Sequence, residues 1–226
     1  MSAARDVAFD IETLGLMHES PLPEVTCVCM YDGVREWSVR TWRLSPHELA
    51  KNRQLVVDVL DGAARILGYN AVLFDLEFLR RSWGIDDARM LRWQLKCVDP
   101  YQTMRLLYGA GGKLQTMLTL NDLGSKTGTG GDAITLARAD EWDELLAYCL
   151  VDARLTYELV HANGGWPRVT PSLECSWACS TLPSRPSVRF RGVSASSSTP
   201  PKAPRGPVAW PMLPLTPPPL VFEDDD

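Results

Sequence analysis

Proline divides this chain into two unlike parts. Of its 17 prolines, 13 lie from Pro167 onward, among stretches such as SASSSTPPKAPRGP and LPLTPPPLVFEDDD. Repeated proline removes backbone donors and fixes φ, and these stretches show neither the period of a strand nor that of a helix. The composition therefore predicts one folded domain over residues 1–163 and a mostly disordered C-terminal tail over 164–226.

The net charge constrains the choice of partner. It is −5 for the whole chain, with −6 on residues 1–163 and +1 on the tail. A protein that binds nucleic acid tightly and without specificity is usually basic. Either nucleic acid is not the partner, or local basic patches and bound cations offset the acidic residues.

Neither export nor membrane insertion is predicted. No stretch approaches the ~20 apolar residues that span a bilayer, and the N-terminal MSAARDVAFD lacks the apolar segment of a signal peptide. We therefore expect an intracellular protein with no membrane partner. In the tail, the spacing Pro201-x-x-Pro204-x-x-Pro207 can dock on a protein partner as a polyproline helix. A plain spacer is the simpler interpretation, because such spacing arises by chance in any proline-rich segment.

The apolar periodicity within residues 1–163 indicates alternating strands and helices. Strands are predicted at 7–13, 25–32, 35–42, 64–70 and 94–100, and helices at about 46–64, 74–83, 101–108 and 140–161. The segment 109–133 adds a helix between two Gly-rich stretches. This order predicts an α/β fold in which helices flank a mixed central sheet. The six cysteines include no Cys-x-x-Cys pair, so we expect small buried hydrophobes rather than a zinc site.

Two acids interrupt the first apolar run, VAFDIETLGL. Asp10 and Glu12 stand two places apart on a predicted strand, so both side chains share one face. Like charges this close repel each other, and burial makes the repulsion worse. A bound Mg²⁺ or Mn²⁺ relieves it, since both ions prefer hard oxygen ligands. The alternative is a solvated pair at a strand end.

Three further residues fit the same site. Asp75 follows the run GYNAVLF, where a strand end leads into a helix. Tyr148 and Asp152 stand four places apart in AYCLVDARL, so they share one face of the last helix. Each has an ordinary structural explanation: a helix cap for Asp75, a core aromatic for Tyr148 and a surface acid for Asp152. One shared site explains all of them together.

Taken in order, these residues resemble the motifs of the DEDD superfamily of 3′–5′ exonucleases, which share the ribonuclease H-like fold. DIETLG is similar to the first motif with Asp10 and Glu12, and GYNAVLFDLEFL is similar to the second with Asp75. YCLVD is similar to the third motif in its tyrosine form, with Tyr148 and Asp152. Over about residues 5–161, the arrangement looks like the proofreading exonuclease domains related to family B DNA polymerases.

The resemblance implies a two-metal phosphodiesterase that uses two divalent cations, Mg²⁺ or Mn²⁺. Asp10 would bridge the two ions, with Glu12 and Asp152 completing the nucleophile-side ion and Asp75 supporting the other through water. The Tyr148 hydroxyl would orient the attacking water, because an unperturbed pKa of ~10 is too high for a good base at neutral pH. The expected partners are the 3′ ends of single-stranded DNA or RNA, with DNA favoured.

Four residues are candidates for substrate binding. Leu14 and Gly15 follow the first motif and would lie near the terminal nucleotide. Asn70 would contact the substrate strand or brace the loop that carries Asp75. Lys126, in the Gly-rich segment GSKTGTGGD, would contact backbone phosphates, and an ordinary exposed loop is an equally good explanation.

The alternatives to this interpretation are a nucleotide hydrolase, an inactive binding module and an exoribonuclease. Neither GAGGK nor GSKTGTGG fits the spacing of a phosphate-binding loop, so a nucleotide hydrolase is discounted. A catalytically inactive nucleic-acid-binding or scaffold module, recruiting partners through its tail, would typically have lost a metal carboxylate, and here all four acids are present. An exoribonuclease is also an alternative, because the sequence does not show which residues would contact the 2′-hydroxyl that distinguishes RNA from DNA.

Overall fold

The computed structural model describes residues 5–109, 111–126 and 128–162, and the predicted disordered tail with its proline motif lies outside them. Within these ranges, no helix is both long and apolar enough to cross a bilayer.

Within the described residues, five strands form one mixed sheet, which confirms the predicted α/β class. The strands are β1 (Val7–Thr13), β2 (Val25–Tyr31), β3 (Glu36–Arg40), β4 (Ile66–Leu67) and β5 (Cys97–Val98). Their order in the sheet is β3-β2-β1-β4-β5, with β1 at the centre. Strand β1 pairs antiparallel with β2 and parallel with β4, while β2–β3 is antiparallel and β4–β5 parallel.

Seven helices accompany the sheet in the described ranges. They are α1 (Pro46–Gly62), α2 (Asp75–Trp83), α3 (Asp87–Leu95), α4 (Pro100–Tyr108), α5 (Leu114–Leu120), α6 (Gly130–Arg138) and α7 (Trp142–His161). The start of α1 shows how local sequence defines an end. The Ser45 hydroxyl accepts from the Glu48 backbone N–H, and the Glu48 carboxylate accepts from the Ser45 backbone N–H. Such a reciprocal capping box satisfies two otherwise unpaired donors.

The two faces of the sheet contact different helices, and this separation places the acids. Odd-numbered residues of β1, such as Phe9 and Ile11, join the large apolar core with α1, α2 and α3. On the opposite face, β1 and β2 present Ala8, Cys27 and Cys29 to clusters that include residues of α7. Since side chains alternate along a strand, Asp10 and Glu12 point to the α7 face.

Two helices were not predicted, and both begin on signals that composition obscures. Helix α3 starts after Asp86, whose side chain accepts from the Arg89 N–H. Helix α6 starts at Gly130, within a stretch that the sequence indicated to be a Gly-rich loop. Its start is defined by a capping box between Thr129, which precedes the helix, and Asp132 in its first turn. Glycine is least costly outside a helix interior. The predicted strands at 64–70 and 94–100 are reduced to two residues each in β4 and β5.

Candidate active site

The carboxylates of Asp10 and Glu12 meet on the central strand, opposite the middle of α7. A carboxylate oxygen of each lies within 4.8 Å of the other and of the Cys149 Sγ, which projects from α7. In the sheet register, Asp10 is opposite Cys29 and Glu12 is opposite Cys27. The two acids therefore share one face of β1, as predicted, and this is the face that α7 covers.

Helix α7 supplies the third and fourth members of the site. Tyr148 and Asp152 are one turn apart and both buried, with 7% and 2% of their surface exposed. The Asp152 Oδ1 atom is buried and accepts no hydrogen bond from any described residue. An orphaned carboxylate oxygen is costly unless another group, such as a cation, approaches it.

Asp75 reaches the same site from α2. It is the first residue of that helix and is 5% exposed. Its Oδ1 accepts a hydrogen bond of 3.2 Å from the Ile11 backbone N–H, at the residue between Asp10 and Glu12. The carboxylate thus connects the start of α2 to the central strand, and the N-cap position of α2 is occupied by Phe74 rather than by Asp75.

Burial raises the pKa of all four carboxyls, and for Asp10, Glu12 and Asp75 the charges of neighbouring acids raise it further. Burial is the leading cause in each, and it raises the pKa of Glu12 to about 8 and that of Asp75 to about 7. The pKa of Asp10 is raised well above its usual range by burial and then by the charges of Glu12, Asp75 and Asp152. That of Asp152 is also raised by burial. Four hard oxygen donors that repel one another, one with an unpaired oxygen, fit a site for divalent cations.

Lys126 already provides one positive charge there. Its Nζ lies 2.5 Å from the Asp152 Oδ2, and the two side chains are 25% and 3% exposed. The loop carrying Lys126 is held where its backbone N–H donates to the Gln115 side chain at 2.8 Å. The ion pair and the nearby Asp10 charge raise the pKa of Lys126 against the opposing effect of burial. In the structure this ammonium contacts a carboxylate, and its predicted contact with backbone phosphate stays a prediction.

The Tyr148 ring lies beneath the same loop. The Lys126 Nζ is 5.6 Å from the ring centroid, and a Cβ built on Gly128 would come 3.4 Å from the ring. Burial and then the Asp152 charge raise the pKa of Tyr148. The phenol is therefore protonated at neutral pH and can donate its O–H.

Leu14 and Gly15 follow β1 beside the site. Leu14 is half-buried and packs on the cluster that contains Tyr148 and the cysteines. The Gly15 carbonyl accepts from the Thr13 hydroxyl at 2.7 Å, and a Cβ on Gly15 would lie 2.5 Å from the Glu19 carboxylate. The small residue thus allows a close approach within the chain, and no described contact shows its predicted role toward a nucleotide.

Asn70 is tied to a carboxylate that sequence reasoning missed. Asp99 is 5% exposed, and its carboxylate accepts from the backbone N–H groups of Asn70 at 2.9 Å, Val72 at 3.1 Å and Gln102 at 3.2 Å. Asn70 itself has φ of 64°. Asp99 therefore caps α4 and holds the loop that leads to Asp75. The dipeptide Asp99-Pro100, a cap followed by proline at the first helical position, was the available signal.

Three solved structures show what the fold is similar to. RNase D of Trypanosoma brucei matches with 17% identity and a TM-score of 0.51, over 73% of this chain and 59% of that one. Its complex with GMP matches with 18% identity and a TM-score of 0.50, over 70% and 50%. The family B DNA polymerase of the archaeon Pyrobaculum calidifontis matches with 19% identity and a TM-score of 0.54, over 70% and 24%.

These likenesses establish the fold class: the chain has a ribonuclease H-like fold, as the motifs predicted. It spans 59% of the first of those structures and 24% of the polymerase. No protein-family model and no curated protein matches the sequence.

Proposed function

We propose that this protein is a metal-dependent 3′–5′ exonuclease that hydrolyses phosphodiester bonds of nucleic acid. One observation carries the proposal: three separate elements, β1, α2 and α7, bring four buried or half-buried carboxylates together beside a buried tyrosine. A core does not tolerate this concentration of acid without a counterion. The 3′–5′ polarity comes from the motif resemblance.

Asp10, Glu12, Asp75 and Asp152 would hold two divalent cations, Mg²⁺ or Mn²⁺. When bound, such cations supply a hydroxide at neutral pH and offset the charge of the phosphate. The Tyr148 hydroxyl is protonated at neutral pH, since its pKa is raised further from an already high ordinary value, and it donates a hydrogen bond that orients the attacking water. The cluster is acidic, so phosphate binding there depends on the cations.

Lys126 has a second role in the proposal. Its four-carbon side chain comes from a loop rather than from a helix or strand, so the ammonium can move from Asp152 to a nearby phosphate oxygen. Leu14 and Gly15 would border the terminal nucleotide. Asn70, whose backbone is held by Asp99, would position the loop that carries Asp75 or contact the strand directly.

The substrate proposed is the 3′ end of a single strand, with DNA favoured by the likeness of the motifs to polymerase proofreading domains. A second candidate, RNA, is supported by the similarity of the fold to RNase D of Trypanosoma brucei. Both polymers offer the same phosphodiester to the carboxylates. The choice between them depends on contacts near the 2′-hydroxyl.

The test uses 5′-labelled single strands of DNA and RNA with one sequence, incubated with Mg²⁺, Mn²⁺ or EDTA. We expect a cation-dependent ladder that shortens from the 3′ end. Asp152→Asn should abolish it, whereas Asp143→Asn, at an exposed position in the first turn of α7, should leave it intact. If no polymer is cleaved with any cation while binding persists, the proposal fails, and an inactive binding module is the better explanation.

A further inference from the structure

Three cysteine thiols converge directly beside the carboxylates. Cys27 and Cys29 project from β2 and Cys149 from α7, and each is 0% exposed. Their three Sγ atoms all lie within 4.8 Å of one another. These are three of the four cysteines in the described part of the chain, and all four are free thiols.

The spacing of the sulfurs is close to that of a metal–thiolate site. Metal–sulfur bonds of ~2.3 Å place coordinating sulfurs roughly 4 Å apart. The present separations are at most 4.8 Å, so small side-chain rotations bring all three onto one ion. Cys27 and Cys29 stand two residues apart on one face of β2, and Cys149 comes from the helix that covers this face, so three sulfurs from two elements converge in one place.

The contacts that the thiols make now are weak ones. The Cys29 Sγ donates to the Leu146 carbonyl at 3.4 Å, and the Cys149 Sγ donates to the Asp10 carbonyl at 3.3 Å. A thiol is a poor donor, so a metal–sulfur bond readily replaces such a contact. A carboxylate oxygen of Asp10 also stands 3.6 Å from the Cys149 Sγ, within reach as a fourth ligand.

We propose that Cys27, Cys29 and Cys149 form a binding site for one thiophilic cation of the Zn²⁺, Cd²⁺ or Cu⁺ class. On binding, each thiol releases its proton to solvent as its sulfur bonds to the ion. Ligand softness separates this site from the acidic one: thiolate sulfur selects soft cations, and carboxylate oxygen selects Mg²⁺ or Mn²⁺. The chain thus carries a soft-cation site and a hard-cation site side by side, joined by Asp10 and Cys149.

The alternative is that the thiols are only small core residues. Cysteine is often that, and the neighbouring Ala133 and Ala137 show that this cluster favours small side chains. Packing alone, however, requires neither sulfur nor a convergence of three thiols from two elements. The two explanations differ in one measurable respect, which is binding of a soft cation in the presence of excess hard cation.

The test uses the full chain carrying Cys175→Ser and Cys179→Ser, so that the tail cysteines contribute nothing. Cd²⁺ is titrated under reducing conditions in excess Mg²⁺ and equilibrated long enough for a buried site to open, with the thiolate-to-Cd²⁺ charge-transfer band as readout. We expect one Cd²⁺ per chain and a band of three-thiolate intensity. Cys27→Ser, Cys29→Ser and Cys149→Ser should each weaken binding about tenfold or more. Cys97→Ser is the matched control on β5 and should bind as the parent does.

Absence of the band in the parent, or its survival when all three cysteines are serine, would overturn the proposal. Circular dichroism and melting in EDTA check that each variant folds. If one does not, X-ray absorption on the Cd²⁺-loaded parent counts the sulfur ligands directly, and fewer than three refutes the site. Asp75→Asn separates this proposal from the nuclease: it should lose the cleavage ladder and keep the Cd²⁺ band.

Discussion

Replacing Lys126 with methionine tests whether this lysine competes with metal for the carboxylates. Methionine keeps the length and apolar character of the side chain and removes the charge. In the structure, the ammonium lies 2.5 Å from Asp152, a carboxylate that is almost fully buried. A cation that coordinates Asp152 must displace this ammonium, so part of its binding free energy is spent breaking the ion pair.

The magnitude follows from the character of the contact. A hydrogen bond to a charged group contributes about 1.5–3 kcal/mol, and 1.4 kcal/mol corresponds to about tenfold in an equilibrium constant. Lys126 is three-quarters buried, so screening by solvent removes only part of this. We therefore expect Lys126→Met to bind Mn²⁺ about tenfold more tightly. Removal of one positive charge from beside Asp10 acts in the same direction.

The assay is calorimetric titration of Mn²⁺ into the protein without nucleic acid. Lys51→Met, at an exposed position of α1, is the matched control and should bind Mn²⁺ as the parent does. Lys126→Arg retains the charge and should stay within about threefold of the parent, since a charge-bearing replacement keeps most of the ion pair. In EDTA, Lys126→Met should also melt at a lower temperature than the parent, because buried Asp152 loses its counterion.

Unchanged or weaker Mn²⁺ binding by Lys126→Met would refute the reasoning. It would mean that the ammonium does not stand where the cation binds, or that it assists the cation through another group. Cleavage gives a second comparison. If Lys126 also contacts substrate phosphate, the variant should need less Mn²⁺ but show a higher KM for the oligonucleotide.

Further predictions concern the other groups of the site and the domain boundary. Tyr148→Phe should lower kcat about 10- to 100-fold in single-turnover cleavage with Mn²⁺ affinity unchanged, since the lost hydrogen bond to the attacking water is worth about 1.5–3 kcal/mol. In EDTA, the free energy of unfolding should fall as pH rises from about 4.5 to about 8, because folded Glu12 retains a proton that the unfolded chain has released, and Mg²⁺ should reduce this fall in urea titrations. Asp99→Ala should cost about 3 kcal/mol in urea unfolding, because buried backbone donors, including that of Asn70, lose their acceptor. A chain ending at residue 163 should melt and cleave like the full one.

Local spacing predicted the parts of the site that lie within one element. Asp10 and Glu12 share a face because strand side chains alternate, and Tyr148 and Asp152 share one because they are four apart on a helix. Such rules need no knowledge of the tertiary fold. The apolar run also predicted the bounds of β1. The structure assigns this strand to Val7–Thr13, the same residues.

Contacts between distant elements could not be predicted in this way. The ion pair of Lys126 with Asp152 depends on how a Gly-rich loop folds back over α7, and a lysine in such a segment is typical of an exposed loop. The thiol cluster depends on the pairing of Cys149 with β2, from which it is separated by more than a hundred residues. A search for closely spaced cysteines cannot detect that arrangement.

The sheet register connects the two groups of ligands. Because Asp10 is opposite Cys29 and Glu12 is opposite Cys27, carboxylates and thiols belong to one cross-strand pattern on the face that α7 covers. A slip of β1 by one residue would turn both acids toward α1 and expose the apolar side chains of Phe9 and Ile11 to the wrong face. The apolar core on one side of β1 therefore fixes the positions of the acids on the other. Burial of Phe9 and Ile11 stabilises the register of β1. This register places Asp10 and Glu12 side by side despite the repulsion between their charges.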